Sequence, residues 1–113
     1  MKKIFIISLL TLGSLSTMAL DCSIVKRDNS GSIFRKISKK LEPVSIPGGE
    51  KLSVDIEDAY ASVMYVDGRI TAMITLAPTY QYGNLSTGSL DPNGRYKLSY
   101  VTPEINYELN CKE

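Results

Sequence analysis

A tight turn in the middle of the chain places the strongest constraint on the fold. The dipeptide Asp67-Gly68 separates two runs rich in β-branched and aromatic residues, 59–66 and 69–76. Asp-Gly between two such runs is the strongest short-range signal of a β-hairpin. Because a two-residue turn fixes the register, we expect Val66 to face Arg69 and the pairing to continue outward from there.

The two faces of this hairpin differ in character, because side chains alternate across a strand. One face has no charged residue and is predicted to lie in the core. It consists of Ala59, Ala61, Val63, Tyr65, Ile70, Ala72, Ile74 and Leu76. The opposite face is more apolar than a solvated face needs, and we expect the segment Ile33–Leu41 to cover it. Its apolar members are Tyr60, Met64, Val66 and Met73.

The first 19 residues have the pattern of a secretory signal peptide. Met1-Lys2-Lys3 is basic, residues 4–12 are apolar apart from two hydroxyl residues, and Thr17-Met18-Ala19 suits cleavage. The apolar run is too short to span a bilayer, which takes roughly 20 residues. We therefore expect export to the periplasm or the medium, a mature domain of residues 20–113, and no transmembrane segment in it.

The two cysteines, Cys22 and Cys111, stand near opposite ends of the mature chain. An even count in an exported protein favours a disulfide. Both cysteines fall on the apolar parity of their predicted strands. We therefore predict one buried bond that joins the first and last strands.

The residue pattern of most of the remaining chain also predicts β-strands. Leu52, Val54 and Ile56 alternate with polar residues and extend the hairpin into a three-stranded meander, and residues 95–101 and 105–111 alternate in the same way. The segment Ile33–Leu41 fits either a strand or a helix, and we expect the strand. The predicted fold is all-β, a small antiparallel β-sandwich or flattened barrel of about seven to eight strands.

A long segment between the strands, residues 77–94, is rich in Gly, Pro, Ser and Asn and is predicted to be mainly irregular. Tyrosine among such residues is typical of adaptable recognition loops. We take its large side chains as a candidate binding loop, with packing against the end of the sandwich as the alternative. They are Tyr80, Tyr82, Leu85 and Leu90.

A basic run precedes the meander. Between Cys22 and Leu41 the sequence has six basic residues and a single acidic residue, Asp28. The run is interpreted either as an anion-binding patch or as charge that keeps an edge strand soluble. The candidate patch consists of Arg35, Lys36, Lys39 and Lys40.

The residues available for catalysis are few. The chain has no histidine, which excludes Ser-His-Asp and Cys-His catalysis and histidine metal sites, and paired cysteines exclude a thiolate nucleophile or ligand. The carboxylates Asp55, Glu57 and Asp58 form the densest acidic group, which we interpret as a solvated face rather than a cation site or an acid–base pair. No catalytic residue, metal or cofactor is predicted.

The composition favours binding over chemistry. Cleavage removes Lys2 and Lys3 from the thirteen basic residues and leaves eleven against twelve acidic ones, so net charge indicates neither nucleic acid nor membrane. We expect a non-enzymatic binding module for an envelope or extracellular protein or an anionic polymer. Alternatives are a hydrolase inhibitor and a structural envelope protein; an enzyme using the three carboxylates ranks last. The general picture is loosely similar to bacterial periplasmic lysozyme inhibitors, although Thr87-Gly88-Ser89-Leu90 keeps only the glycine of their Ser-Gly-x-x-Tyr loop.

Overall fold

The computed structural model describes residues 20–80 and 82–113, so the predicted signal peptide lies outside the described residues. The described residues form nine β-strands. These are β1 Asp21–Asp28, β2 Arg35–Lys40, β3 Glu42–Ile46, β4 Gly49–Ile56, β5 Ala59–Val66, β6 Arg69–Leu76, β7 Tyr82–Gly88, β8 Arg95–Val101 and β9 Ile105–Lys112.

The strands make two antiparallel sheets that pack as a sandwich. The four-stranded sheet has the order β2-β1-β9-β8, and the five-stranded sheet has the order β3-β4-β5-β6-β7. The chain passes from the first sheet to the second at the buried Leu41, whose amide donates to the Cys22 carbonyl at 2.9 Å. On the other side Tyr96 of β8 donates to the Ser86 hydroxyl of β7 at 2.5 Å. The all-β sandwich prediction is confirmed, with nine strands instead of seven or eight.

The central hairpin has the predicted register. Val66 pairs with Arg69 and Ala59 with Leu76 across the Asp67-Gly68 turn. The predicted inner face lies against the four-stranded sheet, and six of its eight residues are almost fully buried. The meander extension is confirmed as well, because Ile56 pairs with Ala59.

The turn between β4 and β5 is tight despite its acidic residues. Glu57 and Asp58 connect the two strands directly, and Glu57 takes φ 53°, in the left-handed region that favours glycine. A non-glycine residue stays there only where its surroundings hold it. The contacts of the Glu57 and Asp58 side chains, described below, supply that constraint.

The predicted disulfide is present and joins neighbouring strands. Cys22 and Cys111 are direct partners in the β1–β9 ladder, with their Cα atoms 4.1 Å apart, and both are buried. The nine strands and the bond lie within residues 20–113, the range in which the structure describes every residue except 81.

Two expectations about individual segments change. Ile33–Leu41 contains a strand, as expected, but that strand belongs to the four-stranded sheet, so it does not cover the outer face of the hairpin. Met64 on that face stays 40% exposed. The segment 77–94 is less irregular than predicted, because Tyr82–Gly88 pairs with β6 and forms a sheet edge. Gly83, at φ 157°, lies so close to the β6 backbone that a Cβ atom would collide with it, and this contact explains the glycine in the strand.

The disulfide closes nearly the whole domain, and this predicts its contribution to stability. Replacing Cys22 and Cys111 together by Ser removes a cross-link that the chain-entropy model values at about 4–5 kcal/mol at most. The strands keep their other contacts, so circular dichroism should show unchanged strand content at low temperature and a lower thermal midpoint. The reduced wild-type domain serves as the control and should unfold at a similarly lowered temperature. An unchanged midpoint would contradict this account of the bond.

Candidate functional site

The outer face of the four-stranded sheet is the most strongly charged surface of the domain. On β1, Cys22 and Ile24 are buried, so the alternate residues Ser23 and Arg27 point away from the core. Residues that pair directly across neighbouring strands point to the same side of a sheet, so the strand pairing identifies the outward-facing residues of β2, β9 and β8 as well. We call this surface the basic face. Its charged residues are Asp21, Arg27, Lys36, Lys40, Arg95, Lys97, Glu108 and Lys112.

Positive charge dominates the basic face. Six of the eleven basic residues of the domain lie on it, with only two of its twelve acidic residues. Glu108 accepts from Lys97 at 2.6 Å and from Arg27 at 3.1 Å, while Asp21 lies 3.4 Å from Lys40. The remaining cations of this face have no ion-pair partner among the described residues. They are Lys36, Arg95 and Lys112.

A groove lies at the end of the basic face where β1 begins and β9 ends. Its volume is about 890 Å³, and its wall includes four of the six cations. The lining also includes the polar residues Ser23, Ser89 and Asn110 and two carboxylates, Asp21 and Asp91. Cations with neutral hydrogen-bond donors between them are the groups that hold phosphate, sulfate or carboxylate. The four cations in the wall of this groove are Lys40, Arg95, Lys97 and Lys112.

The structure divides the predicted anion patch. Lys36 and Lys40 lie on the basic face, whereas Arg35 and Lys39 have the opposite parity. Lys39 donates to the Asp55 backbone carbonyl at 3.1 Å, and Arg35 contacts carboxylates of the neighbouring turns. Only half of the predicted patch therefore contributes to the basic face.

Three cations of the basic face, Arg95, Lys97 and Lys112, were missed from the sequence, whereas Arg27 belongs to the basic run already described. Arg95 and Lys97 alternate with Tyr96 and Leu98, and this pattern by itself indicates only the solvent-exposed side of a strand. The signal that could have joined them to Lys40 is the disulfide, since pairing Cys22 with Cys111 sets the register between the two ends of the chain.

A second polar group, which we call the Lys26 cluster, lies at the opposite end of the sandwich. Lys26 is on the inner parity of β1 and only 4% exposed. Its ammonium group lies 2.8 Å from Glu57 Oε1 and 3.1 Å from Asp58 Oδ1, and 5.7 Å from the centre of the Tyr107 ring. The Tyr107 hydroxyl donates to Asp58 Oδ1 at 2.6 Å.

Arg35 extends the Lys26 cluster to the β1–β2 hairpin. Its guanidinium contacts Glu57 Oε2 at 2.7 Å and Asp28 Oδ2 at 3.4 Å. Asp28 also accepts from the Ser30 amide at 2.9 Å. Neighbouring loops are tied in by backbone bonds, one of them from the Ala77 amide to the Asp58 carbonyl at 2.8 Å. The cluster thus joins the loops at this end of both sheets.

The pKa values in the Lys26 cluster follow from these contacts. Burial lowers the pKa of Lys26, but hydrogen bonds to Glu57 and Asp58 outweigh it, and the net shift is upward. Hydrogen bonds from Lys26 and Arg35 lower the pKa of Glu57. For Asp58, burial raises the pKa, but the donors Tyr107 and Lys26 outweigh it and the net shift is downward. All of these groups are charged at neutral pH apart from Tyr107, whose pKa is raised by burial and by its bond to Asp58.

The four residues of the predicted binding loop lie in four different places. Tyr82 is exposed at the start of β7, and Leu85 is exposed on the outer face of the five-stranded sheet. Leu90 packs against the core. Tyr80, at φ 58°, lies with Tyr60, Met73 and Asp55 around a shallow pocket of about 330 Å³.

The structure gives no sign of a metal centre or a membrane-spanning helix in the part of the chain that it describes. There, no three His, Cys, Asp or Glu side chains are grouped so that they could hold a metal ion. In the same residues no helix is long and apolar enough to cross a membrane. Asp55, Glu57 and Asp58, the predicted acidic group, are also divided: the Asp55 side chain lines the Tyr80 pocket, and the other two belong to the Lys26 cluster.

Comparison of the chain with protein-family models, with curated proteins and with solved structures found no match. Fold alone does not determine function, since one sandwich architecture carries many unrelated activities. The features of this chain that bear on function are therefore the basic face, the Lys26 cluster and the exposed apolar residues.

Removing the buried cation should destabilise the domain. Lys26→Met leaves Glu57 and Asp58 without their shared partner, and breaking a buried pair in this way costs roughly 2–4 kcal/mol when the carboxylates keep partial access to water. Urea unfolding measures the loss. Lys97→Met is the control, because Lys97 is exposed and its pair with Glu108 should contribute less than about 1 kcal/mol. Equal losses in the two variants would contradict the proposed importance of the Lys26 cluster.

The lowered carboxyl pKa values predict a loss of stability in acid. A carboxyl group whose pKa is lower when folded stabilises the fold fully above its ordinary value, which is 4.5 for Glu57 and 3.8 for Asp58, and the contribution is lost as pH falls through the folded value. The urea midpoint should therefore stay level from neutral pH to about pH 5 and then decline. In Lys26→Met the decline should be shallower. A wild-type midpoint that is constant down to pH 3 would rule out this coupling.

Proposed function

We propose that the protein is an exported, non-enzymatic binding module whose basic face binds an anionic ligand. The observation that carries this proposal is the segregation of charge. Residues 20–113 have nearly equal numbers of acidic and basic groups, yet one sheet face has an excess of four positive charges. The outer face of the other sheet carries Glu42, Asp55, Lys51 and Arg69, which balance.

The arrangement of these charges supports binding rather than simple solubility. Lysine on an edge strand is enough to discourage edge-to-edge aggregation. Here, however, Arg95, Lys97 and Lys112 extend the positive charge across β8 and β9 to the far side of the sheet. A surface on which cations outnumber carboxylates around a groove raises the local concentration of oppositely charged ligands. Binding of an anionic group therefore explains more of the pattern than edge protection does.

The state of the carboxylates supports a non-enzymatic role. Glu57 and Asp58 are held by Lys26, and Arg35 also binds Glu57. Their pKa values lie below the ordinary range. An acid–base catalyst works best with a pKa near the operating pH, so these shifts run in the wrong direction.

Neutralising two cations of the groove should weaken binding of a soluble polyanion. The pair Arg95→Gln and Lys112→Gln removes adjacent charges that have no ion-pair partner among the described residues. With about 1 kcal/mol lost for each cation near an anionic surface, affinity for fluorescein-labelled dextran sulfate should fall more than tenfold. Fluorescence anisotropy with the oxidised 20–113 domain measures this affinity, and the wild-type affinity should weaken as salt is added.

The opposite sheet offers a matched control. Lys51→Gln with Arg69→Gln also removes one lysine and one arginine, so the net charge changes equally, but both residues lie on the balanced outer face of the five-stranded sheet. Its affinity should stay close to wild type. If both double variants lose affinity equally, net charge and not the basic face governs binding, and the proposed site is wrong.

A further inference from the structure

Exposed apolar side chains form a rim along one end of the basic face. Ile33 and Phe34, in the loop between β1 and β2, are 75% and 54% exposed. Val101, at the end of β8, is 64% exposed. Large apolar residues with this exposure stay in water at a cost in free energy, which burial against an apolar partner would recover. A soluble polyanion would not cover them.

The strand pairing places this apolar rim beside cations of the basic face. Arg27 pairs with Lys36 on one side and with Asn106 on the other, and Asn106 pairs with Val101. These four residues form one row across the sheet at its loop end. Phe34 comes immediately before β2, two positions from Lys36, and Val101 is itself a member of the row. Apolar and cationic groups therefore occur together at one edge of the same face.

The loop that carries Ile33 and Phe34 is fixed in position. The Asn29 amide donates to the Glu104 carbonyl at 2.8 Å, which joins this loop to the β8–β9 connection. Ser30 donates to Asp28, and Arg35 anchors the start of β2. The apolar side chains thus project from a loop whose ends are tied, so ordering them on a partner costs little conformational entropy.

Acidic residues at this end would repel an anionic surface if they were free. Asp28, Glu57 and Asp58 are instead paired with Lys26 and Arg35 in the Lys26 cluster. On the basic face the cations nearest the rim are Lys36 and Arg27, and Arg27 is paired with Glu108. The exposed Glu104 lies in the β8–β9 connection at the same end.

We infer that the anionic ligand of the basic face is the surface of a phospholipid bilayer, with Ile33 and Phe34 inserted among the lipid headgroups. Cations attracted to acidic headgroups together with a few inserted apolar side chains give reversible binding at a membrane interface. This inference rests on the proposed function and names the class of its ligand. The basic face supplies attraction over a distance, and the apolar rim supplies the contact that a free polyanion cannot.

Vesicle binding by the oxidised 20–113 domain tests the inference. Vesicles containing equal parts of phosphatidylcholine and phosphatidylglycerol should co-sediment with the domain, and pure phosphatidylcholine vesicles should not. The pair Ile33→Ser and Phe34→Ser should weaken binding to the acidic vesicles by about tenfold, because the inserted apolar surface is lost. Its affinity for dextran sulfate should be unchanged.

The opposite sheet again supplies a matched control. Val44→Ser with Leu85→Ser removes two exposed apolar side chains from the five-stranded sheet and should leave vesicle binding unchanged. The chain has no tryptophan, so Phe34→Trp places a single fluorescent probe at the rim. Its emission should shift to the blue on acidic vesicles, whereas that of Leu85→Trp should not.

The outcomes separate the two proposals. If acidic vesicles bind the Ile33→Ser, Phe34→Ser variant as well as wild type, with no shift at Phe34→Trp, lipid insertion is wrong and an anion-binding face remains. Binding to dextran sulfate without binding to vesicles has the same meaning. If the wild-type domain binds neither, the proposed function fails together with this inference.

Discussion

The pairing of Cys22 with Cys111 determines what the surface of the domain presents. The bond joins the first and last strands in one register, so every residue of β1 has a fixed partner on β9. Because side chains alternate with period two, a slip of one residue would send Lys112 and Asn110 to the core face and bring Leu109 out. Cations from both ends of the chain share one face only in the observed register. The covalent bond thus contributes to the proposed binding surface as well as to stability.

The Lys26 cluster performs the corresponding task at the other end of the sandwich. The alternation of side chains on β1 directs Lys26 toward the core, where a charge without a partner would cost folding free energy. Glu57 and Asp58, more than thirty residues away, reach it only because the β4–β5 turn is tight enough to place both carboxylates over β1. The strained φ of Glu57 and the buried position of Lys26 therefore have one explanation. The turn at Glu57 supplies the carboxylates that the buried Lys26 needs, and the contact with Lys26 holds Glu57 in its unfavourable backbone conformation.

The predictable parts of this fold are those in which a local rule and a burial pattern agree. Asp67-Gly68 fixed one register, and the apolar alternation beside it agreed residue by residue. The same alternation of side chains predicts that both cysteines point inward. The prediction for β7 was wrong because only one signal was present: β7 has Gly83, Asn84 and Gly88 and lacks an apolar alternation, so its composition indicated a loop. Lys26 gave no signal, since its burial depends on partners that only the tertiary fold brings near.

The distribution of charge matters more in this domain than its sum. Eleven basic and twelve acidic residues leave almost no net attraction to any ligand, so approach to an anionic partner depends on orientation. With its outer face balanced, the five-stranded sheet gives such a partner little to bind. On its edge strand β3, Pro43 has no amide hydrogen to offer an added strand. A surface that meets this domain therefore gains most by contacting the basic face. The apolar rim along that face then decides which anionic surfaces are held after the first encounter.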